Sequence, residues 1–386
     1  MDWPRTPVER LQHFKPRFCP RRYCPEHRRT EPGYRYRTHA VYRNARGRLI
    51  TRFRCLTCRS TFTQNAFAAT YYMKRPELLL PVAALLQAGS AHAQIARALG
   101  CAASTVTRLS ARLGRHAILV QQLSTDETEG LLGEPVVLDH FETFEFSQDL
   151  PIGVGTAVGR DSWFVYALDP APHGRTGRRS TAQQKRVASR PRRPHRGGYV
   201  GSTTRILGRL LGLAGREQRL QLFGDGHPAY DSAVTRHPER NRIRLSRFPN
   251  PARGPKGSPR SEVAIARDRA MFAVDLLHGL LRHSLAAHKR ETIAFGRRLN
   301  AIVERLYLAA VWRNFVKGVS ERRGDRTTPA MRLGLTDEPW SFKRVLSHRL
   351  FPDRVRLSGV PLMLYRRDWI TPVLPSNTRH RLRFAY

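Results

Sequence analysis

No run of 18 or more apolar residues occurs in the 386-residue chain, so no helical membrane span is expected. The opening residues, MDWPRTPVERLQHF, lack the apolar core of a secretory signal. The expected location is therefore the cytoplasm, where structural disulfides are disfavoured. Cysteine is scarce, with five in all, and acidic residues are scarce too: 30 Asp and Glu face 68 Lys and Arg, for a formal net charge of +38. Between Pro170 and Arg216 there is no acid at all. A chain this basic calls for a polyanionic partner. Nucleic acid is the leading candidate, and an anionic membrane surface stands behind it. A GC-rich genome accounts for Arg outnumbering Lys, but not for the excess over acids. The length and a 40% hydrophobic content suit two or three domains with cores of their own.

Four of the cysteines form two close pairs. Cys19 and Cys24 are separated from Cys55 and Cys58 by thirty residues. Two such knuckles can place four thiolates around one tetrahedral Zn²⁺. Between them YRYRTHAVYRNARGRLITRFRC alternates aromatic or apolar residues with Arg, a strand pattern with a hairpin turn at Asn44 to Gly47. The segment 15–70 reads as a β ribbon too small to fold without its metal. His27 is read as a surface histidine rather than a ligand, and Cys101 as a buried small residue. The strands carry Arg35, Arg37, Arg43, Arg46, Arg48, Arg52 and Arg54 beside Tyr34, Tyr36, Tyr42 and Phe53. Arg52 and Arg54 are candidates for phosphate contact, against the plainer alternative of a solvated face.

Residues 74–122 read as three helices. Pro76 to Ala88 is the first, with Pro81 either kinking it or marking its true start. Ser90 is the expected cap of a second, Ala91 to Leu99. Gly100 makes the turn, and Ala103 to Gln121 is the third. A short helix, a glycine turn and a helix opening on Ser104, Thr105, Thr107 and Arg108 match a DNA-binding helix-turn-helix. An ordinary three-helix core has the same periodicity.

From Glu134 the pattern turns to strands: EPVVLDHFETF, PIGVGTAVG and DSWFVYALDP, then the helix TTRILGRLLGLAG and the strand RLQLFGDGHPAY. Three strands, a helix, a fourth strand and later helices suit an α/β domain on a mixed sheet. It spans 134–318, with a flexible basic insertion at about 173–203. The Arg-rich segment 319–386 is a basic extension, either lying across DNA or solvated. The stretch Asp126 to Asp149 holds eight acids, and an acidic island in so basic a chain suggests a cation site. Asp139 and Asp225 end two separate apolar strands. Side by side, they would hold Mg²⁺ or Mn²⁺ for phosphodiester chemistry; strand-end aspartates are also common in plain turns.

Taken in order, the cysteine ribbon, the helix-turn-helix, LDHFETF, WFVYALD, FGDGHPAY and RETIAFGRRLNAIVERLYLAAVWRNFVK resemble insertion-sequence transposases of the acidic-triad type. The likeness is greatest to the group related to insertion sequence one. It implies an RNase H-like catalytic domain, a DNA substrate (element ends and target), a nucleoid location and a homo-oligomer. It further implies that Asp139 and Asp225, the latter with Gly226 and Tyr230, are the first two catalytic acids. For the third, Asp275 precedes RETIAFGRR by about the distance at which the related elements carry a glutamate. It departs from them in being aspartate. Glu304, in an Asn-x-x-x-Glu-Arg helix, and Glu262, in a loop-like neighbourhood with 36 residues between it and Asp225, are the alternatives. His278 and Arg282 would share the Asp275 helix face. His278 then stands either near the scissile phosphate or on the helix surface, and Trp312 is expected to pack in the core. The rival functions are a non-catalytic DNA-binding regulator with a degenerate second half, and a zinc-ribbon RNA-binding protein.

Overall fold

The computed structural model of the chain describes residues 14–369, apart from 45–46, 48, 176, 190–196, 253, 256–257 and 290–291. Arg46, Arg48 and the end of the basic extension therefore lie outside the described residues. Strands β1 (Tyr36–Arg43), β2 (Leu49–Cys55) and β3 (Thr61–Thr63) make an antiparallel three-stranded sheet in that order. The expected hairpin is present. Gly47 N–H donates to Asn44 O at 2.9 Å, with Gly47 at φ +74°, where a side chain would be strained. One face of this sheet buries Phe53 and Phe62 with Tyr34 around the cysteines, while β1 is exposed along almost its whole length.

Three helices follow: α1 (Leu79–Gln87), α2 (His92–Ala98) and α3 (Ala103–Asp126). Pro81 does not kink α1. It sits in the first turn, after a 3-10 turn at Pro76–Leu78, where a missing N–H costs no intrahelical bond. Ser90 is not the cap of α2. Ala91 holds that position, and its N–H donates to Gln94 Oε1 at 2.8 Å. Helix α3 runs on past Gln121 because, from Leu109 to Thr125, nearly all of its side chains are buried.

The central sheet contains β4 (Val136–Phe144), β5 (Pro151–Gly159) and β6 (Val165–Pro172). Helices α4 (Thr181–Ala188) and α5 (Gly198–Leu213) come next, then β7 (Leu220–Gly224), α6 (Pro228–Arg236), β8 (Ile243–Arg247), α7 (Glu262–Ser284) and α8 (Leu299–Val311). The strand order is β6-β5-β4-β7-β8. The first three strands are antiparallel, and β7 and β8 run parallel to β4. The mixed α/β domain is as expected. The basic insertion is not wholly a loop: Ser180 caps α4 by accepting from Gln183 N, and Gln183 Oε1 accepts from Ser180 N. Residues 190–196 of it lie outside the described residues. Helix α5 packs on β5 and β6, and α7 on β4, β5 and β7.

The segment after Gly318, expected to be solvated or laid on DNA, is packed as far as residue 369. It carries α9 (Pro329–Arg332), α10 (Phe342–Val345) and α11 (Gly359–Arg366). Trp340 stacks on Phe315 at 4.3 Å, and Leu364, Tyr365 and Trp369 join the main core. That one core also takes in residues of α1 to α3 and of the sheet. Trp312, expected in the core, is half-buried, with the Lys317 ammonium 5.6 Å above its ring.

Glu304 explains how α3, α8 and α11 are joined. A Cβ on Gly114 of α3 would fall 2.4 Å from the Glu304 Cβ, so only glycine allows α8 so close. The Glu304 carboxylate is 2% exposed and accepts two bonds from Arg367, at 2.7 and 2.6 Å. Burial pushes its carboxyl up, and the Arg367 guanidinium opposes that shift. Glu304→Ala should strand the Arg367 charge and cost about 3–5 kcal/mol, measured as a lower denaturation midpoint with an unchanged urea m-value.

Candidate metal centre and acidic site

The two cysteine knuckles close on one point. The four Sγ atoms of Cys19, Cys24, Cys55 and Cys58 all lie within 4.8 Å of one another. Cys19 and Cys58 are 3.7 Å apart and Cys24 and Cys55 3.8 Å. Four sulfurs about 2.3 Å from a tetrahedral zinc must have edges of about 3.8 Å, so the residues fit a structural zinc-like ion. Burial pushes the Cys19 and Cys24 thiols up, Cys24 to about 11. Thiolates there need a cation beside them. At the exposed Cys58 the burial effect is outweighed by hydrogen bonds to Ser60, and the thiol falls to about 7. His27 is not a surface residue. It is fully buried, its Nδ1 is 2.7 Å from Cys19 O, and its ring sits between Phe18 and Phe351. Cys101 is half-buried rather than buried.

The acidic residues arrive from three elements. In the β4–β7 ladder Val137 pairs with Phe223. Asp139 and Asp225 each stand two residues beyond that pair, at the same level of adjacent parallel strands. Asp139 Oδ1 accepts from His140 N at 2.7 Å and from the Tyr230 hydroxyl at 3.3 Å. Its Oδ2 is 3.6 Å from His278 Nδ1. Asp225 Oδ1 accepts from His227 N at 3.0 Å. Burial pushes the Asp139 carboxyl up to about 7, and the charges of Asp225 and Asp275 add to the shift. The three acids therefore share one electrostatic neighbourhood. They do not close on a point: among the described residues, only the cysteines form a group of three or more ligand atoms within 4.8 Å.

Asp275 lies on α7, 40% exposed, and is paired with Arg267 two turns earlier. Glu304 belongs to the buried pair with Arg367. Glu262 is not in a loop. It is exposed in the first turn of α7, thirteen residues and about 20 Å of helix from Asp275. His278 is not on the surface either. Its side chain is 15% exposed, with Nε2 2.8 Å from Thr156 Oγ1, and burial pushes it down to about 3. The Arg282 guanidinium covers Phe141 at 4.7 Å. A second group went unread in the sequence. His140 stacks on Tyr199 at 4.1 Å and its Nδ1 lies 3.1 Å from the Tyr230 hydroxyl, so it backs the residue that bonds Asp139. Tyr230 was noticed only as part of a motif, and nothing in its spacing pointed to His140.

On the outer surfaces Ser104, Thr107 and Arg108 are exposed at the start of α3, with Thr105 partly covered. Thr107 Oγ1 lies 3.0 Å from His92 Nδ1. Arg52 is exposed and lies over Tyr42 at 5.2 Å. Arg54 is half-buried and donates to Arg59 O at 3.2 Å. No helix among the described residues is long and apolar enough to cross a membrane.

Two outcomes follow. Metal analysis should find one zinc per chain, and either chelation or Cys55→Ser should make the 15–70 ribbon susceptible to limited proteolysis while the central sheet resists. Asp139→Asn should stabilise the metal-free protein. A carboxyl pushed from 3.8 to about 7 favours the protonated form in the fold. Its contribution to stability is therefore largest below about 3.8 and declines as the pH rises towards 7. The asparagine variant should show a higher melting temperature at pH 7.5, by a few degrees, and a gain that shrinks at pH 5. The chain matches no protein-family model, no curated protein and no solved structure, so the transposase resemblance rests on its motifs alone.

Proposed function

We propose that the chain is a metal-dependent DNA transposase that nicks the ends of a mobile element and joins them to target DNA. The observation that carries this reading is the placement of Asp139 and Asp225, each two residues beyond the paired Val137 and Phe223 of the parallel β4–β7 ladder, with the charges of Asp225 and Asp275 raising the Asp139 carboxyl. Asp139, Asp225 and Asp275 come from three elements, and the charges of the last two reach Asp139; carboxylate oxygens of this kind would suit Mg²⁺ or Mn²⁺. Such ions are commonly held by one or two carboxylates, with waters and substrate phosphates completing the shell, so a site left open between the acids fits. The sheet order, with three antiparallel strands followed by two parallel to the first, supports an RNase H-like domain.

Asp139 and Asp225 would hold the ion, with Asp275 as the third acid. When bound, such an ion makes the attacking water or 3′-hydroxyl more acidic and neutralises charge on the scissile phosphate. Tyr230 and His140 keep the Asp139 carboxylate in place. The exposed start of α3 supports the helix-turn-helix reading, and with the arginines of β1 and β2 it would address the element ends. Phosphate contacts of this kind weaken steeply with salt. By analogy the working form is a homo-oligomer in the nucleoid, because joining two ends takes two sites.

A second reading, a non-catalytic DNA-binding regulator, is favoured by one observation: Arg267 already neutralises Asp275. A supercoiled plasmid carrying the element's ends separates the two. Metal-dependent nicking is expected, and Asp139→Ala or Asp225→Ala should each reduce it by more than about 100-fold. Full activity in both variants would sink the proposed site. Binding without nicking in the parent chain would favour the regulator. Equal affinity for single-stranded RNA and duplex DNA would instead support an RNA-binding role.

A further inference from the structure

We infer that His278 is a direct ligand of the divalent cation at Asp139, offering its Nδ1 beside Asp139 Oδ2. The inference rests on the acidic-site reading above and deepens it.

The argument is a count of protons. Thr156 Oγ1 lies 3.0 Å from the Asp139 carbonyl oxygen and 2.8 Å from His278 Nε2. A carbonyl can only accept, so the single hydroxyl proton of Thr156 goes to it. Nε2 must then carry a hydrogen and donate it to Thr156 Oγ1. A neutral ring with its hydrogen on Nε2 has a lone pair on Nδ1. That lone pair faces Asp139 Oδ2 across 3.6 Å, with the two side chains only 15% and 22% exposed. Once Asp139 is ionised, two acceptors face one another in this enclosed place and repel, and a cation between them turns the repulsion into coordination.

A histidine recruited only to position Asp139 would aim an N–H at the carboxylate. Here the N–H is spent on Thr156. Metal-binding histidines have this arrangement, in which a hydrogen bond from the far nitrogen fixes the tautomer and frees the near one. The spacing also fits. Two donors about 2.1 Å from one ion stand about 3.0 Å apart at a right angle and about 4.2 Å apart in line. Asp275, one turn earlier on α7, is held by Arg267, so His278 is the α7 group set against Asp139. A nitrogen ligand raises affinity for Mn²⁺ relative to Mg²⁺ compared with an all-carboxylate set. The site should prefer manganese.

The test is pulsed electron paramagnetic resonance on the full chain, holding one equivalent of zinc and titrated with Mn²⁺ in the absence of DNA. The bound Mn²⁺ should show nitrogen coupling that changes isotope when the protein is made with ¹⁵N-histidine. His278→Gln should remove the coupling and weaken Mn²⁺ at least about tenfold, with a smaller effect on Mg²⁺. Asp139→Asn should abolish binding. Mn²⁺ bound without nitrogen coupling would overturn the ligand assignment while leaving the carboxylate site standing. That is the result expected if His278 were a doubly protonated partner of Asp139. Coupling that persists in His278→Gln would overturn it equally. No Mn²⁺ binding in the parent chain would remove both this inference and the acidic-site reading. The isotope experiment needs no variant, so it does not depend on how well His278→Gln folds.

Discussion

The close approach of α3 and α8 at Gly114 is the constraint on which the architecture turns. With no side chain at Gly114, the two helices meet at the Glu304 Cβ. The carboxylate of Glu304 then reaches Arg367 just beyond α11. One helix thereby serves two purposes. The start of α3 is exposed, and from Leu109 onward it is core. The exposed start of α3 and the sheet bearing Asp139 are parts of one packed body, so a shift in one must be felt by the other. Interiors this dense transmit displacement rather than absorb it.

The acidic site is the electrostatic counterpart. In a chain of formal charge +38, anionic oxygens would be expected to sit beside arginine, and several buried or half-buried ones do. Asp149 pairs with Arg175, Asp169 with Arg205 and Asp231 with Arg247. Asp139 is different. Its neighbours are a hydroxyl, a backbone N–H, an imidazole and the fields of two further carboxylates. A fold that could easily have neutralised this carboxylate with arginine leaves it in conflict. Such local conflict is more often kept for a function than for stability.

Legibility in the sequence followed the range of the interaction. The cysteine cluster was readable because tetrahedral coordination of a structural metal imposes a spacing on the chain. Asp139 and Asp225 were readable because each follows an apolar run, but only Asp225 stands at a strand end: β4 continues past Asp139 to Phe144. The parallel register that sets them level came only with the structure. Strand β8, IRLSR, was missed: it is an edge strand whose arginines face solvent, so no apolar run announces it. The burial of His27 depends on Phe351, more than three hundred residues away, and local pattern cannot report that. The same holds for the segment after Gly318, whose composition reads as solvated. Its few aromatic and aliphatic side chains, Trp340, Phe351, Leu364 and Trp369, anchor it. Ser90 misled because the helix starts one residue later: Ala91 takes the cap position, and Gln94 Oε1 accepts from its N–H.

That late segment also fixes the ribbon. The Arg354 guanidinium lies 3.7 Å over Phe18 and donates to Arg29 O at 2.9 Å. Phe351 packs on Phe18 and on His27 beside the cysteines. On the other side of the ribbon, the Arg349 N–H donates to Phe67 O, and buried Arg112 of α3 donates to Ala69 O and Tyr71 O. The cysteine ribbon is thus fastened at both ends to the body that carries α3. The arginines of β2 and the exposed start of α3 therefore hold a set spacing. A rigid, preformed cationic surface loses little conformational entropy when it engages a partner. In the proposed reading its net charge supplies the attraction and its fixed geometry supplies the discrimination. Loss of zinc would then act mainly by releasing one half of the surface from the other, with the charge unchanged.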